Sequence, residues 1–355
     1  MFYSRSNIIA GAKLKECQFY YKLYNIEVAK EYKYLGFLFS CSYSATIGVH
    51  HLINQAKKAW FSIKYYLFSS KNKNIDTYLK LFDTQIKPIL LYASDSWADS
   101  QKLNPHIEIL LVKNKIEKFQ ISIFKQLSGV SRKTTNLAVL LELGRYPITL
   151  NMQYQAIKYF LRLSNLNNDR LIYELFQTQI QIFSDEDCFL SYVVNLLNNL
   201  GMSNIWRIHT LNNNKTPLQN NNITNKAILT RLTDIFSQEV LGHIQNKYNG
   251  KLTFLSSIKN VYQIEKYLKI NNFKNRQAIT KLRTSNHMLA IETGRWTKTE
   301  RKDRFCVHCD KNKIEDEMHF LFECPEYMVA RQETFQLIKS KTNIDLFYAS
   351  DRQII

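Results

Sequence analysis

Residues 51–67 read HLINQAKKAWFSIKYYL, and their periodicity predicts the dominant secondary structure. Apolar and aromatic side chains recur at the i, i+3, i+4 spacing of one helix face, and the lysines fall largely off that face. The members of this face are Leu52, Ala56, Ala59, Trp60, Ile63, Tyr66 and Leu67. Only 9 glycines and 5 prolines interrupt the 355 residues. Few chain breakers in so long a sequence favour long helices, so we predict a mainly α-helical protein.

The N-terminal residues have a different pattern, which predicts a short β segment over residues 1–44. Aromatic and β-branched side chains dominate residues 19–24 and 32–39. Gly36 interrupts the second run, which indicates a turn or a bulge. Two or three strands are marginal on their own, so we interpret this segment as the end of a larger sheet.

The rest of the chain divides into segments by composition and helical periodicity. We predict a helical bundle over 45–127, with a kink or restart at Pro88, and a helical middle region over 128–211. An Asn-rich stretch with Pro217 predicts a linker over 212–223. A basic helical region follows over 224–300, and residues 301–355 contain a cysteine cluster and a C-terminal helix.

The charge balance points to an anionic partner. Lysine and arginine total 48 against 30 acidic residues, which gives a net charge of +18. Such a field attracts polyanions, so RNA or DNA is the first partner to consider, an acidic membrane surface the second, and a merely basic surface the alternative. Scattered cysteines, no signal peptide and no long apolar run predict an intracellular protein of the nucleus and/or cytoplasm, without a membrane partner.

The most specific motif is Cys306-x2-Cys309-x9-His319-x4-Cys324. Zinc prefers four sulfur or nitrogen ligands at tetrahedral corners, and a Cys-x2-Cys turn supplies two of them from one loop. We predict that a short helix and the turn after it supply His319 and Cys324, and that Pro325 ends the helix. Three cysteines and one histidine leave no open position, so the one Zn²⁺ ion should be structural. His308 is a competing ligand, but its position beside Cys309 is awkward, so His319 is preferred.

A basic and aromatic stretch precedes the cysteines and predicts a nucleic-acid contact surface. Lysine and arginine neutralise phosphates, while Trp296 could stack on an unpaired base. The alternative is a solvated helix face with Trp296 in the core, and His287 is interpreted as a structural histidine. The predicted contact residues are Lys57, Lys58, Arg132, Lys133, Lys281, Arg283, Arg295, Trp296, Lys298, Arg301, Lys302 and Arg304.

No catalytic constellation stands out in the sequence. Asp95 and Asp99 lie four residues apart, and residues 183–187 are acidic, but two-metal phosphoryl transfer needs carboxylates that converge on one point. Surface caps and solvated faces explain both sets equally well. The motifs of phosphate-binding glycine loops, serine nucleophile elbows and His-Glu-x-x-His helices are absent.

Taken together, several of these segments resemble the C-terminal part of a LINE-type, non-LTR retrotransposon reverse transcriptase. Residues 32–36 resemble the strand that closes the polymerase palm, and residues 81–97 resemble the thumb. Residues 142–147 (ELGRYP) resemble the helical region beyond the thumb. Residues 281–295, the cysteine motif, Glu315-Asp316-Glu317 and Cys324-Pro325 resemble the terminal zinc knuckle. The match covers nearly the whole chain, and its last 70 or so residues are the most specific.

The resemblance implies a residual palm segment, a thumb-like bundle, a helical linker and a zinc knuckle that holds RNA or target DNA. The family's Phe/Tyr-x-Asp-Asp polymerase hairpin is absent, so we expect no polymerase activity from this chain alone. We therefore predict binding of RNA or single-stranded DNA. The alternatives are a subunit that completes a reverse transcriptase with a separate palm-bearing chain, and a host-adopted scaffold or inert relic.

Overall fold

The computed structural model describes residues 19–26, 29–40, 44–69, 74–98, 111–167, 169–181, 188–211, 221–245 and 250–342. The fold over these residues is mainly helical with a short N-terminal β segment, as the sequence predicts. The segment forms two separate antiparallel hairpins. The hairpins pair β1 (Phe19–Tyr21) with β2 (Tyr24–Ile26), and β3 (Glu31–Tyr34) with β4 (Phe37–Ser40).

Gly36 forms the tight turn between β3 and β4, which confirms the predicted turn. Tyr34 pairs with Phe37, so the loop contains only Leu35 and Gly36, and both have positive φ angles of 46° and 95°. A two-residue turn of this kind matches the right-handed twist of the strands, and glycine adopts it without strain.

The larger helices follow in chain order. They are α1 (Thr46–Ser69), α2 (Ile75–Leu81), α3 (Lys87–Leu90), α4 (Lys115–Ser128), α5 (Asn136–Leu143), α6 (Ile148–Ser164), α7 (Leu171–Gln181), α8 (Phe189–Asn199), α9 (Ser203–Leu211), α10 (Asn221–Gln245), α11 (Thr253–Ile258), α12 (Phe273–Arg283), α13 (Ala290–Trp296) and α14 (Met328–Thr342). A π-helix, Phe82–Ile86, connects α2 to α3, just before Pro88. Because proline has no N–H and crowds the carbonyl four residues earlier, the wider turn lets the chain continue, which confirms the predicted restart.

The described chain divides into two compact units, each made of two stretches. Unit one comprises Met1–Ile121 and Tyr146–Ser237, and unit two comprises Ser122–Arg145 and Gln238–Ile355. The boundaries predicted from sequence composition remain predictions. Most of the predicted linker, residues 212–220, lies outside the described residues, while Asn221 and Asn222 already belong to α10.

Unit one has an apolar core to which α1 and α6 make large contributions. The predicted face of α1 is buried at Leu52, Ala56 and Trp60, but the prediction was wrong at Tyr66, which is exposed. In α6, Phe160 stacks on Trp206 at 5.3 Å between ring centroids and meets Phe176 edge-on at 5.9 Å. The apolar periodicity of α1 therefore continues to Tyr66, beyond the part of the helix that other elements cover.

The start of α6 is capped from α4, because its own N-cap residue is Pro147, which makes no side-chain cap. Glu117 Oε1 accepts the Thr149 N–H at 2.7 Å, and Gln120 Oε1 accepts the Ile148 N–H at 3.1 Å. These bonds satisfy backbone donors that a helix start leaves free. Burial raises the pKa of the Glu117 carboxyl from its ordinary 4.5 to about 7, against the opposing effect of the Thr149 hydrogen bonds.

Glu117→Gln should change how stability depends on pH. Because the folded pKa of Glu117 lies above the unfolded value, the contribution of this carboxyl to the free energy of unfolding is fully present below pH 4.5. About 3 kcal/mol of it is lost as the pH rises from 4.5 through 7. Glutamine keeps the cap without titrating, so the variant should lack this loss in urea unfolding measured across that range. The exposed Glu174→Gln is the control, and parallel pH curves for wild type and Glu117→Gln would refute the prediction.

Candidate metal centre and basic surface

Two of the motif's cysteines lie in a small loop closed by backbone pairing. Phe305 and Ile314 form an isolated antiparallel bridge. The Cys306 N–H donates to the Lys313 carbonyl, and the Glu315 N–H donates to the Arg304 carbonyl, both at 2.9 Å. The pairing holds the loop ends together, so Cys306 and Cys309 project from one compact turn.

The other two motif residues lie at the ends of a π-helical turn. This turn spans His319–Glu323, and the Cys324 N–H donates to the His319 carbonyl at 2.8 Å. In an α-helix, residues five apart are turned about 140° around the axis, whereas the wider π turn brings them to one side. Pro325 then starts a separate 3-10 turn, which confirms the predicted short helix and its end.

These four side chains converge on one point in unit two. Their potential ligand atoms all lie within 4.8 Å of one another. Cys306 Sγ lies 3.9 Å from Cys324 Sγ, and Cys309 Sγ lies 3.4 Å from His319 Nε2. A tetrahedral zinc ion with Zn–S bonds of about 2.3 Å would require edges of about 3.8 Å between sulfurs. The cluster could therefore hold one metal ion, and its geometry is compatible with zinc.

The protein environment affects the charge state of two candidate ligands. Burial raises the pKa of the Cys306 thiol, so the thiolate that a metal would require is disfavoured unless a cation binds beside it. His319 Nδ1 faces Glu323 Oε2 at 3.4 Å, and Lys313 Nζ lies 2.8 Å from the same oxygen. A carboxylate behind a ligating histidine fixes which ring nitrogen faces the metal.

Arg331 from α14 holds the π-helical turn in place. Its Nε donates to the Leu321 carbonyl at 2.7 Å, and its Nη2 donates to the Cys324 carbonyl at 3.0 Å. At the other end, the His319 N–H donates to Asp316 Oδ1 at 2.9 Å. Both ends of the turn that carries two ligand candidates are thus hydrogen-bonded from outside.

Two buried glutamates connect the cluster to the segment before it. Glu315 accepts the Ala290 N–H through Oε2 at 2.6 Å, at the start of α13. Glu317 Oε1 lies 2.9 Å from His287 Nε2. His287 is therefore a structural histidine, as predicted. His308 is half exposed and lies outside the cluster, which supports His319 as the fourth ligand candidate.

A buried ion pair joins two of the segments that carry the family resemblance. Arg283 donates to Glu142 through Nε at 2.8 Å and Nη2 at 3.0 Å, and the Tyr267 hydroxyl donates to Glu142 Oε2 at 2.6 Å. Burial and the nearby Glu142 raise the pKa of Tyr267 well above its ordinary value, so its hydroxyl stays a donor. Gly144, at φ +57°, ends α5 so close to Gln263 and Ile264 that a Cβ would clash with their backbone.

Four of the predicted contact residues have partners within unit two. Arg283 pairs with Glu142, Arg295 with Glu292 at 3.0 Å, and Lys302 with Glu300 at 2.9 Å. Arg304 donates to the carbonyls of Thr299 and Ile291. Arg283 and Arg304 therefore hold segments of unit two together, and a phosphate would have to compete for them.

The other predicted contact residues are free of such partners. Within the described ranges, none of their side chains makes a hydrogen bond or ion pair; they are Lys57, Lys58, Arg132, Lys133, Lys281, Trp296, Lys298 and Arg301. Lys57 and Lys58 lie in unit one, and the rest lie in unit two. The Trp296 side chain is 64% exposed, so the alternative of a core tryptophan is wrong.

Several residues that support the site were not among the predicted site residues. Glu323 follows His319 by four positions, a spacing that could have indicated it. Arg331 and Glu142 gave no such local signal, because their partners lie outside their own helices. Of the acidic residues considered for catalysis, Asp95 lies in a 3-10 turn of unit one, while Asp99 and residues 183–187 lie outside the described residues.

Comparison with known proteins returned no match. A scan against protein-family models, a search of curated proteins and a search of solved structures each found nothing similar. Among the helices that the structure describes, none has both the length and the apolar content needed to cross a membrane. The resemblance to LINE-type reverse transcriptases rests on sequence motifs alone.

Proposed function

We propose that the chain binds RNA or single-stranded DNA, as the C-terminal part of a LINE-type reverse transcriptase that lacks the polymerase site. In this proposal, Cys306, Cys309, His319 and Cys324 hold one structural Zn²⁺ and form a zinc knuckle. Primer extension with an RNA template tests the absence of polymerase activity, and product formed by this chain alone would contradict it.

The observation that carries the proposal is the unpaired basic and aromatic surface beside the cluster. Trp296 is exposed, and Lys298 and Arg301 follow it with no acidic partner in the described part of the chain. Cations without acidic partners are available to neutralise phosphates, and an exposed ring offers a face on which an unpaired base can stack. The net charge of +18 attracts the same ligand.

Binding of a fluorescent oligouridine, measured by anisotropy while salt is varied, tests this surface. We expect Trp296→Ala to weaken binding roughly 5- to 150-fold with little change in salt dependence, because stacking contributes about 1–3 kcal/mol per base. Lys298→Ala with Arg301→Ala should instead reduce the slope of log affinity against log salt by about 1.4, or about 0.7 per phosphate contact.

Lys226→Ala is the control, since Lys226 is an exposed lysine of unit one that is not among the predicted contact residues. It should leave the slope nearly unchanged. If all three variants bind like the wild type, this surface is not the contact. If the wild type itself fails to bind at moderate salt, the scaffold or relic alternative is favoured.

The N-terminal hairpins favour a second candidate, a subunit that completes a reverse transcriptase in trans. The large apolar side chains of β1, β2 and β3 and their turns face solvent; they are Tyr20, Tyr21, Leu23, Tyr24, Ile26, Tyr32, Tyr34 and Leu35. An exposed apolar patch of this kind is typical of a protein contact. Co-purification with a palm-bearing chain would support this candidate, and a stable monodisperse monomer would count against it.

A further inference from the structure

An open groove of about 760 Å³ lies in unit two, beside the metal cluster. The loop after α4, the last turns of α12, residues 286–289 and Phe320 line it. Much of this lining is apolar and includes Val130, Ile279, Leu282, Leu289 and Phe320. An apolar groove left open to water is a characteristic binding site, because burying its lining releases water.

The positively charged side chains at and next to the groove indicate the kind of ligand that it would bind. Lys281 lines it, and Arg132 and Lys133 follow directly after its lining residue Ser131. None of these three cations has an acidic partner in the described ranges, whereas Arg283, two residues from Lys281, is paired with Glu142. One unpaired cation in the lining of an apolar groove, with two more next to a lining residue in the chain, fits a ligand that combines a ring system with phosphates.

A fixed polar group also faces the groove. Asn286 Oδ1 accepts the Ser131 N–H at 2.8 Å, and the Asn286 N–H donates to the Lys281 carbonyl at 2.7 Å. These bonds hold the amide in place, and its nitrogen has no hydrogen-bond partner among the described residues. An oriented amide donor is suited to the acceptor atoms on the edge of an unpaired base.

We propose that this groove binds an unstacked base of single-stranded nucleic acid, with Lys281, Arg132 and Lys133 on the flanking phosphates. Met288, whose side chain is 74% exposed at the groove, would cover the base. This inference rests on the proposed function and names a base-binding subsite that is separate from Trp296. An acidic, apolar peptide is the competing occupant. The fixed amide of Asn286 favours nucleic acid over such a peptide, because its donor can pair with the acceptor atoms on a base edge.

Two matched pairs of variants test the groove in the zinc-loaded full chain. Met288→Glu should weaken oligouridine binding at least several-fold, because it puts a negative charge beside the bound strand. Met328→Glu is its control, since Met328 is also exposed but does not line the groove. Lys281→Ala should reduce the salt slope by about 0.7, and Lys274→Ala, an exposed lysine on the same helix, should not.

Photo-crosslinking gives an independent measurement. An oligouridine with one 4-thiouridine should crosslink to the residues that line the groove, with Met288 and Phe320 as the expected sites by peptide mass spectrometry. If crosslinks form only at Trp296 and Met288→Glu binds like Met328→Glu, the groove proposal fails while the proposed function stands. If the wild type binds no oligonucleotide, both fail. If Met288→Glu loses an acidic peptide but keeps oligouridine, the peptide is the occupant and the proposal is overturned.

Discussion

Replacing Cys324 by serine should abolish metal binding and unfold the chain around the cluster. The Cys324 side chain is fully buried, and its sulfur lies 3.9 Å from that of Cys306. Structural zinc contributes about 10–16 kcal/mol to the folding of small zinc-binding peptides, so the loss of one of four ligands should be severe. The affected part should be the loop, the π-helical turn and the start of α14, because Arg331 binds the carbonyls of that turn.

Metal content by mass spectrometry and limited proteolysis measure this effect. The variant should lose bound zinc and become cleavable near residues 304–331, and a chelator should produce the same pattern in the wild type. Cys188→Ser is the matched control, because Cys188 caps α8 by accepting the Ser191 N–H and serine caps equally well. Unchanged zinc affinity in Cys324→Ser would mean that the cluster is not the metal site.

Glu142→Ala should destabilise unit two by about 3–5 kcal/mol, the usual cost of leaving a buried ion without its partner. The Glu142 side chain is 1% exposed and that of Arg283 is 15% exposed. The substitution leaves the Arg283 guanidinium with only Glu265, at 3.4 Å, and removes an acceptor from the Tyr267 hydroxyl. Neither group regains full contact with water, and Glu265 beside Arg283 and Thr280 Oγ1, 3.1 Å from the Tyr267 hydroxyl, compensate only part of the penalty.

Urea unfolding measures this loss, and two comparisons identify its cause. Glu300→Ala removes the partner of Lys302 in an exposed pair and should change stability little. The double variant Glu142→Leu/Arg283→Met should recover much of the loss, because an apolar pair can replace a buried ion pair. If Glu142→Ala costs no more than Glu300→Ala, the buried pair contributes little to stability.

The features that the sequence predicted correctly depend on neighbouring residues. The Cys-x2-Cys turn, the short helix from His319 and the break at Pro325 each involve residues within a few positions of one another. The same holds for the turn at Gly36 and for the restart at Pro88. Local backbone rules govern such features, so they can be read from residue types alone.

The features that could not be predicted depend on distant partners. Lys281 and Arg283 look equivalent in the sequence, yet Arg283 lies against Glu142 while Lys281 has no acidic partner in the described residues. Whether a tryptophan such as Trp296 is core or surface depends on what packs against its helix. The two-stretch units depend on contacts across more than one hundred residues, for which helical periodicity carries no information.

The division of unit two into two stretches affects how the chain folds during synthesis. Glu142 emerges from the ribosome 141 residues before Arg283, a delay of roughly 7 to 28 seconds at about 5–20 residues per second. All but the first of the 8 residues of α5 are buried in the folded protein. During this delay, the apolar side chains of α5 have been synthesised but the later segments of unit two that cover them have not. The nascent chain therefore presents a binding site for chaperones, and a pause in translation after residue 145 would prolong its exposure to proteases.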